Sequence, residues 1–147
     1  MILLDTNVVS GLRATRRPPD PGFSLWLTEL KGSAAFLSAI TVLELERGTL
    51  QLERRDPAQG SALRRWLELD ILPRFAGRIL AVDDVVASRC AQLHVPDPRP
   101  DLDALIAATA LVHNLTLATR NVRDFHGTGV RLIDPWTYRV GTGSGPE

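Results

Sequence analysis

The sequence predicts a three-layer α/β/α domain on a central, mainly parallel sheet of four to five strands. Three observations lead there. Short runs such as Ile2-Leu3-Leu4 and Ala34-Ala35-Phe36-Leu37 are continuously apolar, as strands covered on both faces are. Stretches with apolar residues at helical spacing separate them, and that alternation implies parallel strands joined by crossover helices. Leu102 to His113 is apolar nearly all round, so this helix must be buried on most sides.

In chain order, Ile2-Leu3-Leu4 is the first strand and delivers Asp5 at its end. Thr6 is placed to cap a short helix carrying Val8, Val9 and Leu12. Arg13 to Pro21, with three Arg and several Pro, reads as a loop. Phe23, Leu25, Trp26, Leu27 and Leu30 make a second helix from Gly22 to about Lys31, ended by Gly32. After the second strand, Ser38 opens a long helix with Ile40, Leu43 and Leu50 on one stripe. Pro57 to about Arg74 forms the next, with Leu63, Trp66, Leu67, Leu69 and Ile71 as its apolar surface. These two pair as a hairpin around Arg54-Arg55-Asp56-Pro57.

Ile79-Leu80-Ala81-Val82 reads as a third strand, and Asp83-Asp84 starts a helix carrying Val85, Val86, Cys90 and Leu93. Pro96-Asp97-Pro98-Arg99-Pro100 is a rigid connector. Leu115 to Ala118 is the fourth strand and Arg131-Leu132-Ile133 a short fifth. Residues 1–140 form one domain, as expected for a chain of 147 residues. The Gly/Ser/Pro-containing 141–147 is expected to be a flexible tail.

Formal net charge is +0, so overall charge does not demand nucleic acid as a partner. All 17 basic residues except Lys31 are Arg. Planar guanidinium groups suit bidentate phosphate binding, although Arg-rich codon usage explains the bias equally well. The single cysteine, Cys90, excludes an intrachain disulfide and fits a reducing compartment. Neither a secretion signal nor an apolar stretch near the roughly 20 residues of a membrane span is visible. The expectation is a cytoplasmic protein with no membrane association.

Four places put a polar residue where the sheet's crevice can receive it: Asp5, Glu44, Asp103, and the Asn121 to Asp124 loop. In open parallel sheets, ligands bind at the carboxyl ends of the strands. Asp103 precedes a strand rather than following one, so the Pro-rich connector must carry the chain back across the sheet. Each residue also has an ordinary explanation. Asp5 can cap a helix and Glu44 can be an exposed helix residue. Asn121 can be a turn residue, and Asp103 can favour its helix N-terminus, with Asp101 as the cap. Glu44 and Glu46 point about 200° apart, so only one faces the crevice. Clustered carboxylates need a counter-charge. A hard divalent cation supplies it, and such an ion promotes phosphodiester hydrolysis.

Four segments together resemble the PIN-domain family, closest to the VapC-type toxins of bacterial toxin–antitoxin pairs and their FitB-like branch. They are Leu3-Leu4-Asp5-Thr6-Asn7, Thr41-Val42-Leu43-Glu44-Leu45 with Gly48, Asp103 to Ala110, and Leu117 to Phe125. The resemblance implies a PIN-like fold and a Mg²⁺-dependent endoribonuclease, with Mn²⁺ as an alternative ion. Position by position, it makes Asp5, Glu44, Asp103 and Asn121 the catalytic quartet, with Asp5, Asp103 and Glu44 on the metal. Glu44 is chosen over Glu46 because it precedes Leu45 and stands four residues before Gly48. Asn121 falls where many members carry Asp, and Asp124 can compensate. Thr6, Asn7 and Thr119 match supporting positions.

Arg13, Arg47, Arg120 and Arg123, together with Arg16 and Arg17, are candidates for phosphate contacts. The resemblance further implies an RNA substrate (transfer RNA or a ribosomal RNA loop), a cognate VapB-type antitoxin and a homodimer. An exposed apolar groove around Phe23, Trp26 and the Glu44 helix is a candidate antitoxin surface, and the same residues can instead be core. Two other readings compete. One is a phosphatase-like α/β hydrolase with Asp5 as nucleophile, although haloacid-dehalogenase-like phosphatases need an acid where Asn7 stands. The other is a non-catalytic PIN domain that binds RNA or a partner.

Overall fold

The computed structural model describes residues 1–30 and 34–139. The expected end of the second helix at Lys31-Gly32 and the expected tail at 141–147 lie outside the described residues. Five strands form one sheet in the order β3-β2-β1-β4-β5. They are β1 (Ile2–Leu4), β2 (Ala35–Ser38), β3 (Ile79–Leu80), β4 (Thr116–Ala118) and β5 (Leu132–Ile133). All four pairings are parallel, so the sheet is wholly rather than mainly so. β1 lies at its centre, with Ile2 opposite Ala35 on one side and Thr116 on the other.

Side chains on a strand alternate between faces, and that alternation builds the three layers. Leu3 and Leu117 point into a core with Val86, Ile106, Ala107 and Phe125. Their neighbours Leu4 and Ala118 join Val8, Val9, Trp26, Leu37 and Leu67 on the opposite face. The first layer is made by α6 (Asp84–Leu93) and α7 (Asp101–Val112). The other includes α1 (Thr6–Gly11), α2 (Pro21–Glu29) and the end of α4 (Pro57–Trp66). As its composition required, α7 buries Ala104 and every residue from Ile106 to Ala110.

Several boundaries and faces differ from expectation. α2 begins at Pro21 because Asp20 Oδ1 accepts from the Gly22 and Phe23 N–H groups and Pro suits a first turn. α3 (Ala39–Arg55) rests on Ile40, Thr41, Leu45 and Thr49, while Leu43 and Leu50 are exposed. Leu69 is likewise exposed, because α4 passes through a π-helical turn, Leu67–Ile71, before α5 (Leu72–Arg74). β3 stops at Leu80, and Asp83 then caps α6 by accepting from the Val86 N–H. Asp101 does not cap α7: Pro100 holds that position, and Asp101 lies in the first turn near His94. Phe23 and Trp26 are core residues, 4% and 3% exposed, which is the second of the two readings open for them.

The α3–α4 hairpin closes at Asp56 and packs tightly. A Cβ at Gly60 would lie 2.3 Å from the Glu53 Cα, so only glycine permits this approach. Arg64 on α4 donates to Glu46 and Glu53 on α3, each at 2.7 Å.

Candidate active site

Asp5 leaves the central strand at the carboxyl edge and is 6% exposed. It, not Thr6, caps α1: its Oδ1 accepts from the Thr6 backbone N–H at 2.8 Å. Its Oδ2 accepts from the Thr119 hydroxyl at 2.7 Å and from the Asn7 amide at 3.2 Å. Asn7 Oδ1 in turn accepts from the Arg120 N–H, and Thr119 Oγ1 from the Asn121 N–H. These bonds tie the end of β1 to the end of β4. They leave Oδ1 with one unused lone pair.

Thr6, released from capping by Asp5, turns its hydroxyl to α3 and donates to Glu44 Oε1 at 2.8 Å. The same hydroxyl is 3.4 Å from Thr41 Oγ1. Thr41 is fully buried, and sequence reasoning missed it. The available signal was its place three residues before Glu44, on the same helical face. Glu46 faces the other way into the Arg64 pair, so Glu44 is the glutamate at the edge.

Asp103, near the start of α7, reaches the same edge. Its carboxyl is held above the usual range by burial first, then by the negative charges of Asp5, Asp124 and Glu44. The connector has therefore carried α7 across the sheet as its topology demanded. The Asp5 carboxyl is also raised. Burial is the largest cause and Glu44 adds to it, against the lowering by hydrogen bonds from Thr119, Thr6 and Asn7. Asp124 is exposed on the 3₁₀ turn Val122–Phe125, whose Phe125 is buried. Asn121 is exposed as well, and its side-chain amide makes no hydrogen bond among the described residues. At the loop, Asp124 is thus the group coupled to Asp103.

Among the described residues, no Arg or Lys makes a salt bridge to Asp5, Glu44, Asp103 or Asp124. Carboxylates whose charges act on one another here, Asp5, Glu44, Asp103 and Asp124, are hard oxygen donors, the ligand type of Mg²⁺ or Mn²⁺. Among the described residues, no group of three or more His, Cys, Asp and Glu is placed to hold a metal ion by itself. A hard ion there would complete its shell with water, as Mg²⁺ usually does.

The arginines lie around this edge rather than in it. Arg13, Arg17 and Arg120 line a cavity of about 870 Å³ beside α1. The Arg120 guanidinium rests over the Trp136 ring, 5.0 Å from its centroid. Arg120 and Arg123 frame a smaller hollow with Asn121 and Asp124. Arg16 and Arg47 are exposed and make no salt bridge among the described residues.

Comparison with known proteins adds an independent line. The PIN domain family matches residues 2–129. Toxin FitB of Neisseria gonorrhoeae is 40% identical over 141 residues, covering 92% of this chain and 99% of FitB. The crystal structure of FitAcB from the same organism superposes with a TM-score of 0.82 at 40% identity, over 93% of this chain and 99% of the matched one. VapC ribonuclease Y4jK of Sinorhizobium fredii is 34% identical over 143 residues, 92% of this chain and 98% of its own. A toxin–antitoxin complex from Klebsiella pneumoniae matches with a TM-score of 0.63 at 26% identity, over 92% and 98% of the two chains.

Proposed function

The chain belongs to the PIN-domain family, and from that premise we propose that it is a Mg²⁺-dependent endoribonuclease, the toxin of a toxin–antitoxin pair. The observation that carries this reading is the convergence of Asp5, Glu44, Asp103 and Asp124, with no cation paired to them among the described residues. A protein that only bound RNA would gain nothing from carboxylates facing phosphates. The names of the relatives, a toxin and a VapC ribonuclease, support the same reading.

Asp5, through its free Oδ1 lone pair, would hold the ion together with Asp103 and Glu44. When bound, such an ion polarises the scissile phosphate and lowers the pKa of water. Thr119 and Asn7 fix the Asp5 carboxylate, and Thr6 fixes Glu44. Glu44 or Asp103 takes the proton of the attacking water as it approaches phosphorus in line. Arg13, Arg120 and Arg123 contact flanking phosphates, giving an affinity that falls with salt.

The relatives found in complexes support a small VapB-type antitoxin as partner. A homodimer, a cytoplasmic site of action and a transfer or ribosomal RNA target complete the proposal. Among the described residues no helix is long and apolar enough to cross a membrane.

Asp5→Asn and Asp103→Asn are each expected to lower Mg²⁺-dependent RNA cleavage at least about 10²-fold and to relieve growth inhibition on expression. Unchanged toxicity would sink the proposal. Turnover of small phosphomonoesters would instead support Asp5 as a phosphoryl-accepting nucleophile.

A further inference from the structure

Beside the acids, and sharing Thr6 and Glu44 with them, a cavity of about 350 Å³ opens between α1, α3 and α4. Leu45, Leu63 and Trp66 supply its apolar lining, and Arg13 stands in its wall. Two of its features have no structural explanation. The indole Nε1–H of Trp66 is buried with no hydrogen-bond partner among the described residues, a costly state for a side chain that only packs. Gly48, in the middle of α3, also lines the cavity, yet a Cβ there would meet nothing within 4 Å. Glycine weakens a helix interior relative to alanine. Gly60 is required by the close approach of Glu53, whereas no contact requires Gly48. What Gly48 provides is open space on the helix surface.

We infer that this cavity receives a nucleobase of the RNA, from the nucleotide next to the scissile phosphate. The inference rests on the nuclease reading above. The size and the mixture of apolar walls with few polar groups are those of a small-ligand site. Unpaired RNA bases are recognised by stacking on aromatic side chains and by hydrogen bonds along their edges. Trp66, in the cavity wall, offers an aromatic surface on which the base stacks. Leu45 and Leu63 cover the base, and Arg13 meets the adjoining phosphate. Because Glu44 forms part of the wall, the seated base lies beside the bond that is cut. Cleavage therefore requires that base to be unpaired, and the cavity helps set which RNA positions are substrates.

A Cβ at position 48 has open space around it and leucine improves the helix, so Gly48→Leu, whose side chain extends into the cavity, is expected to fold with an undiminished melting temperature. A short single-stranded oligoribonucleotide that the wild type cleaves is compared with its counterpart made abasic at each nucleotide flanking the cut. At one flanking nucleotide, base removal should lower wild-type kcat/KM at least about tenfold. Gly48→Leu should lose a similar factor on the intact oligonucleotide and nothing further on that abasic one. Trp66→Phe, which keeps the ring and removes the donor, should lose less. If every abasic RNA is cut like the intact one and Gly48→Leu matches the wild type, the inference falls and the nuclease reading stands. The cavity then belongs to a protein partner. If the wild type cleaves nothing with Mg²⁺, the nuclease reading falls, and fluorescence quenching by the intact oligonucleotide decides the inference. Quenching lost in Trp66→Phe and with the abasic RNA supports a base site; its absence overturns one.

Discussion

Glu44 and Glu46 stand two residues apart on α3, and the structure treats them oppositely. Glu46, with Glu53, meets Arg64 at 2.7 Å, so acid and base on the helical hairpin neutralise each other. The guanidinium is held more firmly protonated by those same hydrogen bonds. Glu44, among the described residues, accepts only from the Thr6 hydroxyl, and it adds its charge to Asp5 and Asp103 at the sheet edge. The hairpin therefore uses carboxylates to join two helices. The edge gathers them against their mutual repulsion, a cost that folding alone does not justify. That contrast separates the structural acids of this chain from the candidate functional ones.

The sharpest way to break the comparison is to neutralise each glutamate in turn. Glu44→Gln is expected to lower kcat for RNA cleavage at least about 10²-fold. Glu46→Gln should stay within about a factor of two, since substitutions away from a site shift energies by no more than roughly 0.5 kcal/mol. Equal losses in cleavage assays would erase the distinction.

A smaller effect tests the loop after β4. Asp124→Asn should reduce cleavage or Mg²⁺ affinity about tenfold, the size typical of groups supporting a metal site. Asn121→Ala should reduce it less, because Asp124 carries a charge that acts on Asp103 whereas the Asn121 amide carries none. The reverse ranking would return Asn121 to the fourth place of the quartet.

The smallest effect is on stability. Folding raises the Asp103 carboxyl above its ordinary value of 3.8, so the folded state binds that proton more tightly than the unfolded chain. Its ionised form at neutral pH therefore costs stability, which returns as pH falls through the raised value. Metal-free Asp103→Asn should accordingly melt above the wild type at pH 7. The gain should vanish below the ordinary carboxylate range, where the group is protonated in both states. Thermal scans with and without Mg²⁺ check this, since added metal should raise the wild type and not the variant. A variant less stable at neutral pH would show that Asp103 serves packing instead.

Much of the architecture was legible in local pattern. Leu3-Leu4 and Leu117-Ala118 announced buried strands, and the apolar run of α7 announced a buried helix. Asp5 ending the first strand marked the edge where a ligand belongs. Less legible were the helical faces. Leu43, Leu50 and Leu69 read as core and are exposed, because the hairpin rests on Thr41, Leu45 and Thr49 and α4 carries a π-helical turn. Phe23 and Trp26 read equally as groove or core and are core, because residues 135–138 fold back over α2.

Periodicity and composition within a few turns of chain account for the strands, the helices and the chemical identity of the acids. Tertiary structure alone decided which acids act together. Thr6 holds Glu44 from 38 residues away, Thr119 holds Asp5 from 114, and Arg64 withdraws Glu46 from 18. Whether a carboxylate is compensated depends on what stands within a few ångströms of it, because Coulomb and hydrogen-bond energies follow distance in space.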